Sequence, residues 1–180
     1  MTGNLTMAAL LAFVTLQRLS ELVIARRNTR ALLAAGGHEI GAGHYPVVVL
    51  LHGSWLLALW AAWLMGLAQL QSWAAVLYVL VQPLRFWTMV SLGRYWTTRV
   101  IVVRDAPLVR TGPYRFLRHP NYLVVVMEIA LLPLALGLWP LAVIFSLLNA
   151  AMLRHRLAVE GDSLRQREKA AVPVTRLPSP

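Results

Sequence analysis

The sequence predicts an all-α integral membrane protein with five transmembrane helices, the last two forming a helical hairpin. Three observations predict it. Of 180 residues, 58% are hydrophobic and only 13% charged, and the mean hydropathy is +0.61, which leaves too little charge to solvate a globule of this size. The apolar residues gather in long stretches, four of them roughly 18 to 22 residues, the length a helix needs to cross a hydrocarbon core about 30 Å thick. The basic residues fall between alternate stretches, where arginines set the orientation of a multi-spanning chain.

The first span is residues 5–25. It has no basic residues ahead of its apolar run and carries Arg26 and Arg27 after it, the wrong flanks for a cleaved leader, so it reads as a retained anchor. Residues 30–45 contain Gly36, Gly37, Gly41 and Gly43, which predicts a turn-rich cytoplasmic loop. Residues 46–67 and 73–92 form spans two and three. Between 93 and 118, Val100-Ile101-Val102-Val103 and Leu108-Val109 flank Arg104-Asp105-Ala106-Pro107, an ordered, half-polar connection too short for a soluble domain. Span four is residues 122–138. The shorter span five, 139–153, follows it through Gly137-Leu138-Trp139-Pro140. Residues 1–169 thus make one membrane domain, and residues 170–180, with Pro173, Pro178 and Pro180 and no apolar periodicity, are expected to be a disordered tail.

Arginine placement orients the bundle. Arg26, Arg27 and Arg30 follow span one; six arginines from Arg94 to Arg118 lie between spans three and four; Arg154, Arg156, Arg165, Arg167, Lys169 and Arg176 follow span five. The turns at 68–72 and 138–139 carry neither Lys nor Arg. The positive-inside rule therefore puts the amino terminus outside and the carboxyl terminus in the cytoplasm. The net charge of +10 would also suit nucleic acid, but arginines at span ends are explained by anionic inner-leaflet lipids. Membrane lipids, not nucleic acid, are the expected surroundings.

Cysteine is absent, which excludes disulfides, thiolate chemistry and cysteine metal sites. His38, His44, His52, His119 and His155 have no carboxylate at i,i+3 or i,i+4 spacing for a shared zinc ion, so no metal site is expected. Glu21, Arg85 and Glu128 are charges that lie within spans. A charge in hydrocarbon costs at least a few kcal/mol, which leaves two readings: Arg85 paired with Glu128 or with Glu21, or a pocket lined by these groups for a polar headgroup. His52 in span two reads as a satisfied bundle histidine or as a base.

The densest polar motif is Gly112-Pro113-Tyr114-Arg115-Phe116-Leu117-Arg118-His119-Pro120-Asn121-Tyr122. Pro120 suits the first turn of a helix because it needs no amide partner there, which makes His119 or Arg118 the cap of span four. The amides at Asn121 and Tyr122 would attract a carboxylate or phosphate. Tyr114 and Tyr122 are placed to enclose a flat ring. Arg154-His155-Arg156 and Glu160 close the next span on the same face, and Glu160 suits an ammonium or ribose hydroxyls. Interfacial aromatic belts with snorkelling arginines are the competing reading.

The run Arg118-His119-Pro120-Asn121-Tyr122, preceded by Leu108-Val109-Arg110-Thr111-Gly112-Pro113-Tyr114 and followed by Arg156-Leu157-Ala158-Val159-Glu160, resembles the isoprenylcysteine carboxyl methyltransferase family of integral membrane enzymes over roughly residues 85 to 169. Arg26-Arg27-Asn28, His44-Tyr45-Pro46, Leu51-His52 and Arg85-Phe86-Trp87 through Ser91-Leu92-Gly93-Arg94-Tyr95-Trp96 are similar to its bacterial subgroup encoded beside type III polyketide synthases, which O-methylates alkylpyrones and alkylresorcinols. Gly161-Asp162 stands where relatives often run several glutamates.

The resemblance implies a methyltransferase that uses S-adenosylmethionine at a cytoplasmic site of a bacterial plasma membrane. It implies cofactor contacts from Leu108, Val109, Tyr114, His119, Pro120, Asn121, Tyr122 and Glu160, with Arg156 facing a lipophilic acceptor. No Gly-rich dinucleotide fingerprint is present. A 4-hydroxypyrone or a carboxylate would need only a cation such as Arg156 or Arg85 for orientation, whereas a resorcinol, with a pKa of about 10 like tyrosine, would gain from a base such as Glu128 or His52. A phospholipid N-methyltransferase, an NADPH-dependent membrane reductase and a non-enzymatic membrane scaffold are the alternatives.

Overall fold

The computed structural model describes residues 2–103, 106 and 109–171, with side chains omitted at 44 and 159–171. Its described part is mostly helical: α1 (Thr2–Ala34), α2 (Tyr45–Leu64), α3 (Ser72–Leu92), α4 (Pro120–Ala135) and α5 (Trp139–Ala171). Four of these, α1, α2, α3 and α5, are long and apolar enough to cross a membrane, and α4 is a shorter apolar helix of 16 residues. Leu5, Leu57, Leu80 and Leu147 are each more than 60% exposed, as an outer surface facing lipid chains demands.

The interior is held by Leu11 and Val14 of α1, Trp55 and Leu59 of α2, Tyr78 of α3, and Ile129 and Leu132 of α4. α4 packs on α3 and on α5, so the predicted hairpin of the last two helices is present. Its turn is built on Gly137 at φ +70°, where a Cβ would meet the Gln69 carbonyl at 2.8 Å. That closeness has a purpose: the Gln69 and Gln71 amides donate to the Leu136 and Ala135 carbonyls at 2.9 and 2.8 Å. Two loops at one end of the bundle thereby satisfy each other's backbone groups.

Several expectations are corrected. α1 does not stop near Ala25 but runs on to Ala34, because nothing between 26 and 34 breaks a helix. Glu21 is therefore well inside a 33-residue helix. The relative lengths of the last two helices are also reversed: α4 ends at Ala135, next to Pro133 and Gly137, while α5 continues from Trp139 to Ala171 as its charged second half extends the helix beyond the apolar part. The expected tail begins inside α5, and its remainder from 172 lies outside the described residues.

The chain is not purely α. The expected glycine loop contains β1 (His38–Ile40), which pairs antiparallel with β2 (Val100–Val102) so that Glu39 faces Ile101. Arg99 Nη1 donates to Glu39 Oε2 at 2.7 Å, and its guanidinium lies 4.4 Å from the Tyr45 ring centroid at the start of α2. This ribbon ties the α1–α2 connection to the α3–α4 connection on one rim.

Candidate functional site

That rim is where the motif folds. The 3-10 turn Gly112–Arg115 packs on α3, and Gly112 at φ +57° leaves no space for a Cβ, which would come within 2.0 Å of Ser91 Oγ and 2.9 Å of Trp87 Nε1. The turn therefore sets Tyr114 down against α3 with Pro113 buried beneath it. His119 is the N-cap of α4 and Pro120 its first residue, as the sequence predicts. The His119 and Tyr122 rings stack, with centroids 5.1 Å apart and planes 5° from parallel. The Arg156 guanidinium lies 5.5 Å from the Tyr122 ring centroid, within range of a cation–π interaction.

One expectation at this terminus changes. The Tyr122 amide donates to the His119 carbonyl at 3.1 Å, because the first turn of α4 tightens on itself. It is thus already engaged, and the pull of the terminus on an anion falls to the dipole and the neighbouring donors.

Two cavities meet here. The more polar one, about 190 Å³, is lined by Leu92, Tyr95, Arg99, Tyr114 and His119 together with Thr97, Asn121, Tyr122 and Arg156. The larger one, about 310 Å³, descends between α1, α2, α4 and α5 along walls that include Leu19, Leu22, Val48, Leu56, Val125 and Met152. Thr97, Asn121, Tyr122 and Arg156 line both. In the polar cavity, burial pushes the Tyr114 hydroxyl up to about 12, so it stays a neutral hydroxyl donor at any physiological pH.

A charged cluster lies in the bundle beside the larger cavity. Arg85 donates to both Glu21 oxygens and, through Nη1, to Glu128 Oε2 at 2.7 Å. Arg18 joins the same two acids, Nη1 to Glu21 at 2.9 Å and Nη2 to Glu128 at 2.7 Å. Gln82 Nε2 donates to Glu128 Oε1 at 3.1 Å, and the Arg85 guanidinium lies over Trp96 at 5.7 Å. Two arginines and two glutamates balance. The sequence poses Glu21 or Glu128 as alternative partners of Arg85; the structure makes both pairs at once. Arg18, Arg85 and Glu21 line the cavity, whereas Glu128 is not part of its lining. Dense hydrogen bonding of this kind is what makes buried charge tolerable, and it is complete except for Arg18 Nε, which has no partner among the described residues.

The tertiary structure thus brings together Tyr114, His119, Asn121, Tyr122 and Arg156; Arg85 and Glu128 belong to the charged cluster, from which Arg85 but not Glu128 also reaches the lining of the larger cavity. Pro120 serves as the first residue of α4 and is buried. Leu108 lies outside the described residues, as does the Glu160 side chain, whose backbone belongs to α5; Val109 is half-buried in the α3–α4 connection. Sequence reasoning missed Arg18, although its place three residues before Glu21 in an apolar span was the available signal. It also missed Asn149, a buried amide on the cavity face of α5.

Whether these residues fit a polar nucleoside cofactor is testable on one atom. Asn121 Oδ1 is buried and, among the described residues, has no hydrogen-bond partner. A buried acceptor left unpaired costs about 1 to 3 kcal/mol, and this one belongs to a residue lining both cavities. Together with the stacked rings and the neutral Tyr114 hydroxyl, it fits a ligand that brings its own N–H or O–H donors.

The described residues thus form a bundle of membrane-length helices with a polar rim pocket beside a larger, more apolar cavity. The comparisons name its class. The family model described as the isoprenylcysteine carboxyl methyltransferase (ICMT) family matches residues 73–166. A Bacillus subtilis (strain 168) relative, called Uncharacterized protein YpbQ, is 37% identical over 160 residues, covering 87% of this chain and 95% of its own. No solved structure matches the chain. The chain belongs to the isoprenylcysteine carboxyl methyltransferase family and is a membrane methyltransferase; methyltransferases of this family use S-adenosylmethionine.

Proposed function

We propose that this protein is an S-adenosylmethionine-dependent O-methyltransferase whose acceptor is a long-chain alkylpyrone or alkylresorcinol drawn from the membrane. The observation that supports it most is the shared wall of the two cavities at Thr97, Asn121, Tyr122 and Arg156. A polar donor and a lipophilic acceptor seated on either side of one wall meet without either crossing the other's environment. Such proximity supplies much of the rate in a group transfer that requires in-line approach.

In this reading Tyr114, His119, Asn121 and Tyr122 hold the cofactor on the rim, with Leu108, Val109 and Glu160 completing the contact set the family motif implies. When bound, S-adenosylmethionine supplies an electrophilic methyl group. Arg156 orients the acceptor oxygen from the shared wall, and its planar fork presents two N–H groups to that oxygen. Arg85 and Arg18 are occupied by Glu21 and Glu128 and keep the bundle wall fixed. The rim is the cytoplasmic face, and α4 is the fourth of five crossings. At 16 residues it is about 24 Å long, short for a lone span but supported by α3 and α5 on either side.

The test is direct. Purified protein in detergent should bind S-adenosylmethionine by calorimetry and transfer a labelled methyl group from it to a long-chain alkylresorcinol. Binding without transfer to any alkylpyrone or alkylresorcinol would remove the acceptor assignment, and absence of binding would remove the cofactor assignment.

A further inference from the structure

The rim is marked on every long helix by a residue the structure places there: Asn28 of α1, which donates to the Gly93 and Trp96 carbonyls, Tyr45 of α2 under Arg99, Leu92 of α3, Asn121 of α4 and Arg156 of α5. Seven positions further into each helix stands a polar or charged residue: Glu21, His52, Arg85, Glu128 and Asn149. Seven helical residues rise about 10 Å. The five side chains therefore form one polar layer two turns below the rim, in the middle of an otherwise apolar bundle.

The members of this layer are not equally satisfied. Glu21, Arg85 and Glu128 are consumed by each other and by Arg18. His52 Nδ1 lies 2.9 Å from the Val48 carbonyl; donating there, the neutral ring keeps the lone pair of Nε2 as an acceptor. Asn149 is 2% exposed and places a buried amide on the cavity face of α5. Both residues line the larger cavity, His52 from α2 and Asn149 from α5, two helices that pack together. A buried amide is costly in an apolar bundle unless its hydrogen-bonding groups are met, by the protein or by something in the cavity.

We infer that His52 and Asn149 form a second polar subsite, which reads a hydrogen-bonding oxygen of the acceptor other than the one that is methylated. This rests on the proposed function and narrows its substrate class: the acceptor carries at least two ring oxygens, one at the Arg156 wall and one, as a hydroxyl, held between the His52 Nε2 acceptor and the Asn149 amide. Side-chain direction agrees with this reach. α2 starts at the rim and α5 ends there, so helical side chains lean from His52 up toward the rim and from Arg156 down into the cavity, which shortens the gap between the two levels. A lipid with a single polar oxygen would leave the deeper pair unmet.

The test compares 5-pentadecylresorcinol with 3-pentadecylphenol, at matched mole fraction in the micelle, by equilibrium binding and by methyl transfer. Wild-type protein should bind the resorcinol about tenfold more tightly, the worth of roughly one net hydrogen bond. Asn149→Leu and His52→Phe should each erase that preference while leaving phenol binding and S-adenosylmethionine affinity unchanged. His52→Gln, which retains a hydrogen-bonding side chain, is the conservative control and should keep part of the preference. Equal binding of the two lipids by wild type, or a parallel loss for both in the variants, would overturn the subsite. Failure of wild type to bind S-adenosylmethionine would instead overturn the proposed function, and the binding arm would still decide the subsite.

Discussion

Arg156 of α5 holds its guanidinium 5.5 Å from the Tyr122 ring centroid of α4, on the wall that both cavities share. The pair joins the two helices of the hairpin where polar and apolar spaces meet. A cation at this position is useful to an acceptor oxygen on one side, and an aromatic face is useful to a planar ligand on the other. The predictions below follow from this division and from the charged cluster beneath it.

Arg156→Ala should lower turnover by about 10²-fold or more, the scale of a lost positioning contact, while changing S-adenosylmethionine affinity only a few-fold. Arg156→Lys should recover part of the turnover, since a point charge replaces a planar fork. Single-turnover methyl transfer beside calorimetry separates the two effects, and a wild-type rate in the alanine variant would exclude a role at the acceptor.

His119→Ala removes the ring stacked on Tyr122 but leaves the helix start to Pro120. It should weaken cofactor binding with little change in thermal unfolding in detergent. The same outcome is expected of Glu160→Ala. Wild-type affinity in both would contradict the cofactor contact set.

Arg85→Met should destabilise the fold by about 3 to 5 kcal/mol, because two buried carboxylates would lose a cation each already uses. Glu128→Gln should cost less, since the amide still accepts from the guanidiniums while removing one charge. Unfolding midpoints in detergent measure both. An Arg85→Met protein that is as stable as wild type yet inactive would show that Arg85 serves the chemistry and not the bundle.

The Tyr114 hydroxyl, pushed up to about 12 by burial, keeps its proton in the folded state over a range where an exposed tyrosine, at about 10, loses it. Between those two values the folded protein binds the extra proton, so this group's contribution to stability is present below pH of about 10 and falls as pH rises beyond it. Cofactor affinity should therefore show no Tyr114-borne titration from pH of about 6 to 9. A pH profile in that range that flattens in Tyr114→Phe would contradict the shift.

Methyl transfer should favour a long-chain alkylpyrone or alkylresorcinol over its tailless analogue. Each methylene removed from water is worth up to about 0.8 kcal/mol, and less for a substrate already dissolved in the bilayer, so concentrations must be matched within the detergent or lipid phase. Equal rates for both would mean that the acceptor enters from the aqueous side.

Much of this molecule is set locally, and the sequence by itself determined those parts. The apolar run lengths fix α2 and α3 to within a few residues, since membrane thickness dictates helix length whatever the helices pack against. Pro120 marks the start of α4, because a ring without an amide hydrogen is best placed in the first turn, where no amide partner is needed. The His-Pro-Asn-Tyr run marks the rim, because polar aromatic residues at the end of an apolar segment have few other uses. What only the tertiary structure decided is pairing across distance. Three residues such as His38-Glu39-Ile40 carry no strand signal until Val100–Val102 offers its ladder. Arg85 meets both Glu21 and Glu128, and Arg18 joins them, only because α1, α3 and α4 converge. Hydropathy reports how willingly each residue enters lipid, one position at a time. Which buried charges neutralise one another, and which amides are left facing a cavity, depends on the rotation of each helix about its axis, and that is settled only when the helices pack.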